Sequence, residues 1–382
     1  MTPIRVGDAL ACLRAMPDAS AHCCVTSPPY WGLRDYGTPP QIWGGDPDCR
    51  HRWGSEGKSG QRLRNGEGSN TAKQAVAVTL HPSTGSFCDR CGAWRGSLGL
   101  EPDYRLYVDH LVEVLREVRR VLRPDGSLWL NLGDSYATGA GKAKRAGGGA
   151  QGEAWQGKGP SGYRGDHSAD PKNPGAELAG FQPNRMPQPG LKPKDLVGVP
   201  WRVAFALQDD GWWLRRDHVW AKPNPMPESV RDRCTTAHEY LFLLTKSARY
   251  YYDGEAIKEP ACNGERYHGG YDKRPGARPE RNGRSAGSDN TTATRNKRSV
   301  WAITTAPYRG AHFAAFPPAL VEPCILAGCP EGGTVLDPFL GAGTTALVAD
   351  RLGRHCIGIE LSPAYAEMAR ARLGGRKRAV AA

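Results

Sequence analysis

Residues 335–361, VLDPFLGAGTTALVADRLGRHCIGIEL, constrain this chain most. Two apolar strand-like runs, VLD and CIGIE, flank a glycine-bearing turn and a helix-length stretch that opens at Thr344-Thr345. Strand, turn, helix, strand is the unit of a parallel sheet, because parallel strands need a crossover that returns the chain to the same edge. Gly341 and Gly343 let the backbone turn tightly and approach a ligand, and Glu360 at the tip of the second strand can accept hydrogen bonds from ribose hydroxyls. Asp337 closes the first strand. The loop has neither the lysine of a P-loop nor the G-x-G-x-x-G spacing, so the expected ligand is an adenosine-type cofactor without phosphates, namely S-adenosylmethionine.

The rest of the ordered sequence fits the same plan. Residues 4–31 read as a short strand, a helix and a buried strand ending at Thr26. In 104–122 the positions Leu111, Val114, Leu115, Val118, Val121 and Leu122 recur at helical spacing, and Pro124-Asp125-Gly126 is expected to stop that helix and turn the chain. SLWLNLGDSY follows as a strand whose polar end, Asn131 to Asp134, should face a crevice. Helix and strand repeat over 195–222, and 238–247 gives another strand. The alternation predicts a doubly wound, mostly parallel α/β sheet of Rossmann-like type. Trp212, Trp213 and Trp220 are assigned to its core.

Two segments stand apart: the Gly/Pro-rich 137–194, and 254–300, whose part 262–298 holds nine Lys/Arg. With Lys+Arg 51 against Asp+Glu 39 the chain is basic at +12, which favours a polyanionic partner. No run approaches the roughly 18 uninterrupted apolar residues of a membrane span. MTPIRVGDALACL does not read as a signal peptide, so a cytoplasmic protein of bacterial or phage origin is expected. Eleven cysteines without a secretory signal argue for reduced thiols and a metal cluster over a disulfide framework. Cys49-x-His51 and Cys88-x-x-Cys91 supply a Cys3His set suited to structural zinc, with His81 as the alternative to His51.

TSPPYW (26–31) follows a buried strand, at the carboxyl edge where α/β sites sit. Two prolines, Pro28 and Pro29, fix the backbone, and Pro28 leaves a carbonyl available as an acceptor. Ser27 adds a hydroxyl, and Tyr30 a flat ring with Trp31 beside it. Two acceptors for amino hydrogens and an aromatic face can grip a planar base bearing an exocyclic amine.

Taken together, tetrapeptide and glycine loop resemble the S-adenosylmethionine-dependent DNA amino-methyltransferases, with the tetrapeptide first and the cofactor loop near the C-terminus, as in the circularly permuted β-type order. The resemblance covers roughly 4–36, 100–136, 195–253 and 299–373. It implies that Asp8 contacts the cofactor adenine, that Phe339, Gly341, Gly343 and Thr344 form the cofactor loop with Asp337, and that Glu360 binds the ribose. His312 and Phe316 in RGAHFAAFPPALVEP would lie near the methionine end. Ser27, Pro28, Pro29 and Tyr30 would hold a flipped base, and serine at position 27 favours cytosine N4 over adenine N6. Trp31 and Arg34, with Arg274, Arg278, Arg281 and Arg284 of the basic segment, are the expected contacts to double-stranded DNA, and a cognate restriction endonuclease is a possible partner.

The domain plan that follows places catalytic core in 1–48, 100–136 and 195–253, a zinc-binding insertion in 49–99, and a Gly/Pro-rich insertion in 137–194. A target-recognition segment occupies 254–300, the cofactor-binding part 301–375 and a basic tail 376–382. Pro323-Cys324 lies in an expected helix, so Cys324 reads as a buried thiol and no cysteine nucleophile is invoked. The rival readings are methylation of another amine or amide, in protein or RNA, and a zinc-bearing DNA-binding protein without catalysis.

Overall fold

The computed structural model describes residues 3–54, 86–137, 188, 190–261, 294–305 and 316–380, with side chains as far as 374. The chain opens with β1 (Ile4–Val6), α1 (Ala9–Arg14) and β2 (Ala21–Thr26). A small unit follows: β3 (Gln41–Trp43), β4 (Ser86–Phe87) and β5 (Trp94–Gly96). Then come α2 (Tyr104–Val121), β6 (Leu122–Leu132), α3 (Val199–Asp209), β7 (Trp213–Ala221), β8 (His238–Thr245) and the short β9 (Glu259–Pro260), β10 (Thr294–Arg295) and β11 (Val300–Ala302). The last third holds α4 (Pro318–Gly328), β12 (Thr334–Asp337), α5 (Thr344–Arg351), β13 (His355–Glu360) and α6 (Pro363–Val380).

Eight strands form one sheet in the order β1-β13-β12-β2-β6-β8-β7-β11. The first five run parallel, β8 runs antiparallel to both neighbours, and β11 is parallel to β7. The expected mostly parallel, doubly wound sheet is therefore present. From β12 the chain winds outward through α5 to β13, and from β2 it winds the other way to β6. The strand order reverses between β12 and β2, the topological switch point where open α/β sheets bind ligands.

Alternation of side chains across the sheet feeds two cores. Cys24, Leu128 and Leu130 point to the face covered by α1, α2 and α3, whereas Cys23, Val25 and Trp129 point to the face under α4 and α5. Helix α2 shows why the first core closes: ten of its side chains are buried on one stripe, Asp103 caps its start, and Arg119 and Arg120 lie in its last turn, where cations complement the helix dipole.

Two local expectations need correction, the turn at Pro124-Asp125-Gly126 and the burial of Trp213. Helix α2 ends at Val121, and Leu122 is already extended, so Pro124-Asp125-Gly126 makes an irregular strand start instead of a turn. The register against β2 jumps there, from Ala21↔Leu122 to Cys23↔Ser127, which accommodates a proline that cannot donate to the ladder. Trp212 and Trp220 are buried, but Trp213 is 43% exposed at the start of β7. The antiparallel sheet β3-β5-β4 takes in Gln41–Trp43, upstream of residue 49. Cys324 is fully buried in α4 and donates to the Leu320 carbonyl, and burial pushes its thiol pKa up. No helix among the described residues is long and apolar enough to cross a membrane.

Candidate active site and metal cluster

Strands β2 and β12 leave the sheet side by side at its carboxyl edge, and Asp337 ties their tips together. Its Oδ1 accepts from Thr26 Oγ1 at 2.7 Å and from the Phe339 amide at 3.1 Å, and Oδ2 accepts from Thr345 Oγ1 at 2.6 Å. Burial raises its pKa to about 6, against the opposing pull of the Thr345 and Thr26 hydroxyls. Asp337 thus clamps β2, β12 and the start of α5 together, and it is buried (1% exposed).

Beyond the clamp, Gly341 (φ 52°) and Gly343 (φ 79°) adopt left-handed backbone. A Cβ on Gly343 would stand 2.9 Å from the Ala369 Cβ, so α6 packs against the loop only because that side chain is missing. Glu360, at the end of β13, is held in place by the amides of Gly341 at 2.8 Å and Ser362 at 2.8 Å. Burial raises its pKa. The Gly7 amide donates to the Glu360 carbonyl at 3.0 Å, which brings Asp8, the N-cap of α1, to the same rim. Phe339 is half-buried, and Thr344 is buried and accepts from Arg372. Phe316 lies half-buried just before α4, packed on the second core, and His312 lies outside the described residues.

Across the switch point the tetrapeptide forms a linked polar line. Ser27 donates to the Tyr30 oxygen (3.2 Å), and the single Tyr30 proton faces Glu239 Oε2 (2.8 Å) and Asn131 Oδ1 (2.9 Å). Asn131 donates to Glu239 Oε2 (3.2 Å) and to the Tyr240 carbonyl (3.0 Å), and Lys222 pairs with Glu239 Oε1. Burial, then the Glu239 charge, pushes the Tyr30 phenol well above its ordinary pKa, so it stays protonated. The ring lies against Gly133, where a Cβ would come within 2.7 Å. The Pro29 carbonyl is taken by Tyr107 Oη at 2.9 Å, and Pro28 is buried. The loop after the tetrapeptide reaches the cofactor side: Tyr36, its pKa raised mainly by burial, lies within electrostatic reach of Arg34, Tyr365 and Glu360.

Asn131 is legible as a crevice residue, and 222–233, which opens with Lys222, as a proline-pinned loop at the carboxyl edge, whereas Glu239 is not. The available signal was a charged residue opening the apolar run HEYLFLLT. Because β8 runs against its neighbours, its first residues, not its last, stand on the catalytic rim.

Of the expected DNA contacts, Trp31 is corrected. It is 1% exposed, packs edge-on against Tyr104, and donates its indole N–H to the Glu101 carbonyl at 2.9 Å, so it supports the tetrapeptide from below and cannot meet a base. Arg34 is exposed. Arg274, Arg278, Arg281 and Arg284 lie outside the described residues, as does His81. The described end of the basic segment, with Lys297 and Arg298, joins Arg215, Arg216 and Tyr250 around a cavity of about 740 Å³ on the outer sheet edge.

Cys49, His51, Cys88 and Cys91 converge, their ligand atoms all within 4.8 Å of one another. Cys88 and Cys91 sit on the tight turn between β4 and β5, closed by Gly92 N to Cys88 O at 3.0 Å. The Cys88 sulfur accepts the amides of Arg52 and Arg90. Desolvation opposes ionisation of Cys88, but the amides of Cys91, Arg90 and Arg52 together with His51 outweigh it and bring the pKa to about 6, which favours the thiolate a metal needs. Cys91 Sγ lies 3.4 Å from His51 Nδ1 and Cys49 Sγ 4.0 Å from Cys88 Sγ. Tetrahedral zinc, with Zn–S of about 2.3 Å and Zn–N of about 2.0 Å, asks for ligand atoms some 3.3–3.8 Å apart. The hairpin docks on α2, where Trp43 and Trp94 stack on His110, itself 3.0 Å from the buried Glu101.

The switch point of this doubly wound sheet carries a glycine turn and an acid-tipped strand on one side and the Ser27-Pro28-Pro29-Tyr30 tetrapeptide on the other, the layout expected of a group-transfer enzyme. The comparisons with known proteins say which. A family profile described as DNA methylase, of the N6/N4 group, matches residues 21–371. The type II methyltransferase M.SmaI of Serratia marcescens is 40% identical over 98% of this chain and 91% of its own. M.Cfr9I of Citrobacter freundii is 40% identical over 97% and 86%. Among solved structures, the cytosine-N4-specific PvuII DNA methyltransferase shares the fold with a TM-score of 0.52 and 16% identity, over 97% of this chain and 86% of that one. The chain belongs to the N6/N4 DNA methylase family and is a DNA methyltransferase.

Proposed function

We propose that this chain is the modification enzyme of a type II restriction–modification pair and that it methylates the exocyclic N4 of cytosine in double-stranded DNA with S-adenosyl-L-methionine as donor. One observation carries the reading: the Thr26–Asp337 bridge sets Ser27-Pro28-Pro29-Tyr30 beside the glycine loop and Glu360. The cradle suits this cofactor. Gly341 and Gly343 leave the backbone bare, and Asp8 and Glu360 offer acceptors to amino and hydroxyl groups. When bound, S-adenosyl-L-methionine supplies a methyl group on a cationic sulfur.

The chain's own part is positioning. An aromatic amine is a weak nucleophile because its lone pair is delocalised into the ring. Glu239, fixed by Lys222, draws the Tyr30 proton; Tyr30 in turn accepts the Ser27 proton, which leaves the Ser27 lone pairs facing outward. With the Pro29 carbonyl occupied by Tyr107, the Pro28 carbonyl is the second acceptor, and two hydrogen bonds from the amine favour a pyramidal nitrogen aimed at the methyl group. Tyr30 stacks on the base, which must leave the duplex to reach it. Phosphate contacts fall to Arg34 and to the basic segment 254–300. Serine at position 27 supports cytosine N4, by resemblance to the family; adenine N6 is the second reading. Zinc in the Cys49, His51, Cys88 and Cys91 cluster serves as a structural cross-link. Sequencing DNA from cells that express the protein, with 4-methylcytosine and 6-methyladenine told apart, reads both base and site. 6-Methyladenine alone would overturn the cytosine assignment, and unmodified DNA the activity.

A further inference from the structure

Loop 222–237 joins β7 to β8 on the catalytic rim, and its two ends are pinned. At one end the Lys222 amide donates to the Ala237 carbonyl at 2.8 Å, and the Lys222 ammonium meets Glu239 of the active site. The Asn224 side chain exchanges two hydrogen bonds with Thr305, both 3.0 Å. At the other end Glu228 accepts from Arg233 at 2.6 Å, Arg233 lies over the Tyr136 ring at 3.9 Å, and Asp232 pairs with Lys194. Between the anchors runs Pro223-Asn224-Pro225-Met226-Pro227, whose prolines remove most of the backbone freedom that a surface loop would lose on binding.

Met226 is 86% exposed, the highest value for any large apolar side chain among the described residues. Leu33, three residues beyond Tyr30, and Val230 are also exposed. A thioether side chain that stands in water on a pinned loop, four residues from Lys222, has no part in the core of this protein. The substrate, in contrast, presents an apolar gap: extruding one base leaves two stacked neighbours without their partner, and methionine is among the side chains that proteins insert between base steps.

We propose that Met226 is the wedge of base extrusion: it enters the duplex from the catalytic rim and occupies the space the target base vacates. The proposal rests on the flipped-base reading above and adds the group that holds the flipped state open. Its anchors transmit the position of the loop to the active site, since Lys222 touches the loop base and Glu239 together. The side chain makes no contact with the reacting atoms, so it acts on the extrusion equilibrium and leaves the transfer step alone.

Single-turnover methyl transfer by the full chain tests this, on a duplex of about 30 base pairs carrying the site identified by sequencing. A matched duplex with an abasic position opposite the target serves as control, because there the base is already unpaired and extrusion costs less. Met226→Ala is expected to slow transfer ~10–30-fold on the paired duplex and less than ~3-fold on the abasic one, the loss of a few stacking contacts appearing only where unpairing limits the rate. Met226→Leu should retain nearly the wild-type rate on both. An equal loss on the two duplexes, or none on the paired one, overturns the wedge. Failure of the wild type to methylate either duplex would instead strike the proposed function itself.

Discussion

Asp337→Asn tests the architecture of the switch point. In the folded protein the Asp337 carboxyl is raised from 3.8 to about 6 because it is buried. A raised acid binds its proton more tightly folded than unfolded. Its stabilising contribution is therefore complete below the unfolded pKa and is lost as the pH rises through the folded one. The full difference corresponds to about 3 kcal/mol, of which roughly 1.4 kcal/mol falls between pH 5 and pH 8. Asparagine cannot titrate. Its carbonyl can still accept from Thr26 Oγ1 and the Phe339 amide, and its amide can donate to Thr345 Oγ1, whose own proton reaches the Val25 carbonyl at 3.3 Å. Urea unfolding of both proteins at pH 5 and pH 8 should show the variant gaining about 1.4 kcal/mol on the wild type over that interval. Glu101 and Glu360, also raised by burial, titrate in both proteins, so the difference between the two isolates Asp337 together with its charge coupling to Glu360. Parallel pH dependences would refute the buried, ionised clamp. Asp337→Ala leaves Thr26, Thr345 and the Phe339 amide without their acceptor, so it should cost about 3 kcal/mol or more and weaken cofactor binding.

Three further outcomes follow from the active line and the metal cluster. Ser27→Ala should lower kcat by ~100-fold or more, the scale of one positioned hydrogen-bonding group, while calorimetry shows S-adenosyl-L-methionine affinity within about twofold of wild type; unchanged turnover would remove Ser27 from its role. Glu239→Gln keeps the shape but loses the charge that orients Tyr30 and Ser27, and a ~10–30-fold fall in kcat with KM for DNA little altered is expected in steady-state assays. Protein purified without chelators should carry about one zinc per chain by elemental analysis; below about 0.3 the structural site is rejected.

Much of this arrangement is written in local pattern. A strand, a glycine turn, a helix and an acid-tipped strand are contiguous in 335–360, so periodicity together with Gly341, Gly343 and Glu360 places this unit in the sheet. Ser27 to Tyr30 follow a buried strand directly, and parallel sheets put such junctions on one edge. What local pattern does not contain is the direction of β8. An apolar run reads the same in either sense, so nothing adjacent to Glu239 in sequence reveals that it meets Tyr30. The place of Trp31 is hidden for a related reason: an aromatic next to the tetrapeptide can face a base or the core, and the deciding partner, the Glu101 carbonyl, is seventy positions away. Pro124-Asp125-Gly126 carries turn chemistry, yet pairing with β2 overrides it.

The place of β12 between β13 and β2 also governs when the molecule becomes competent during its synthesis. Translation delivers β2 early, but the strand that must lie against it emerges only after more than three hundred further residues. A ribosome that stalls before the closing segment releases a polypeptide lacking both the donor cradle and the carboxylate that braces Thr26. Pairing of β12 with β2 closes a contact of long sequence separation, the kind that forms late, and the bridge from Asp337 to Thr26 waits on it.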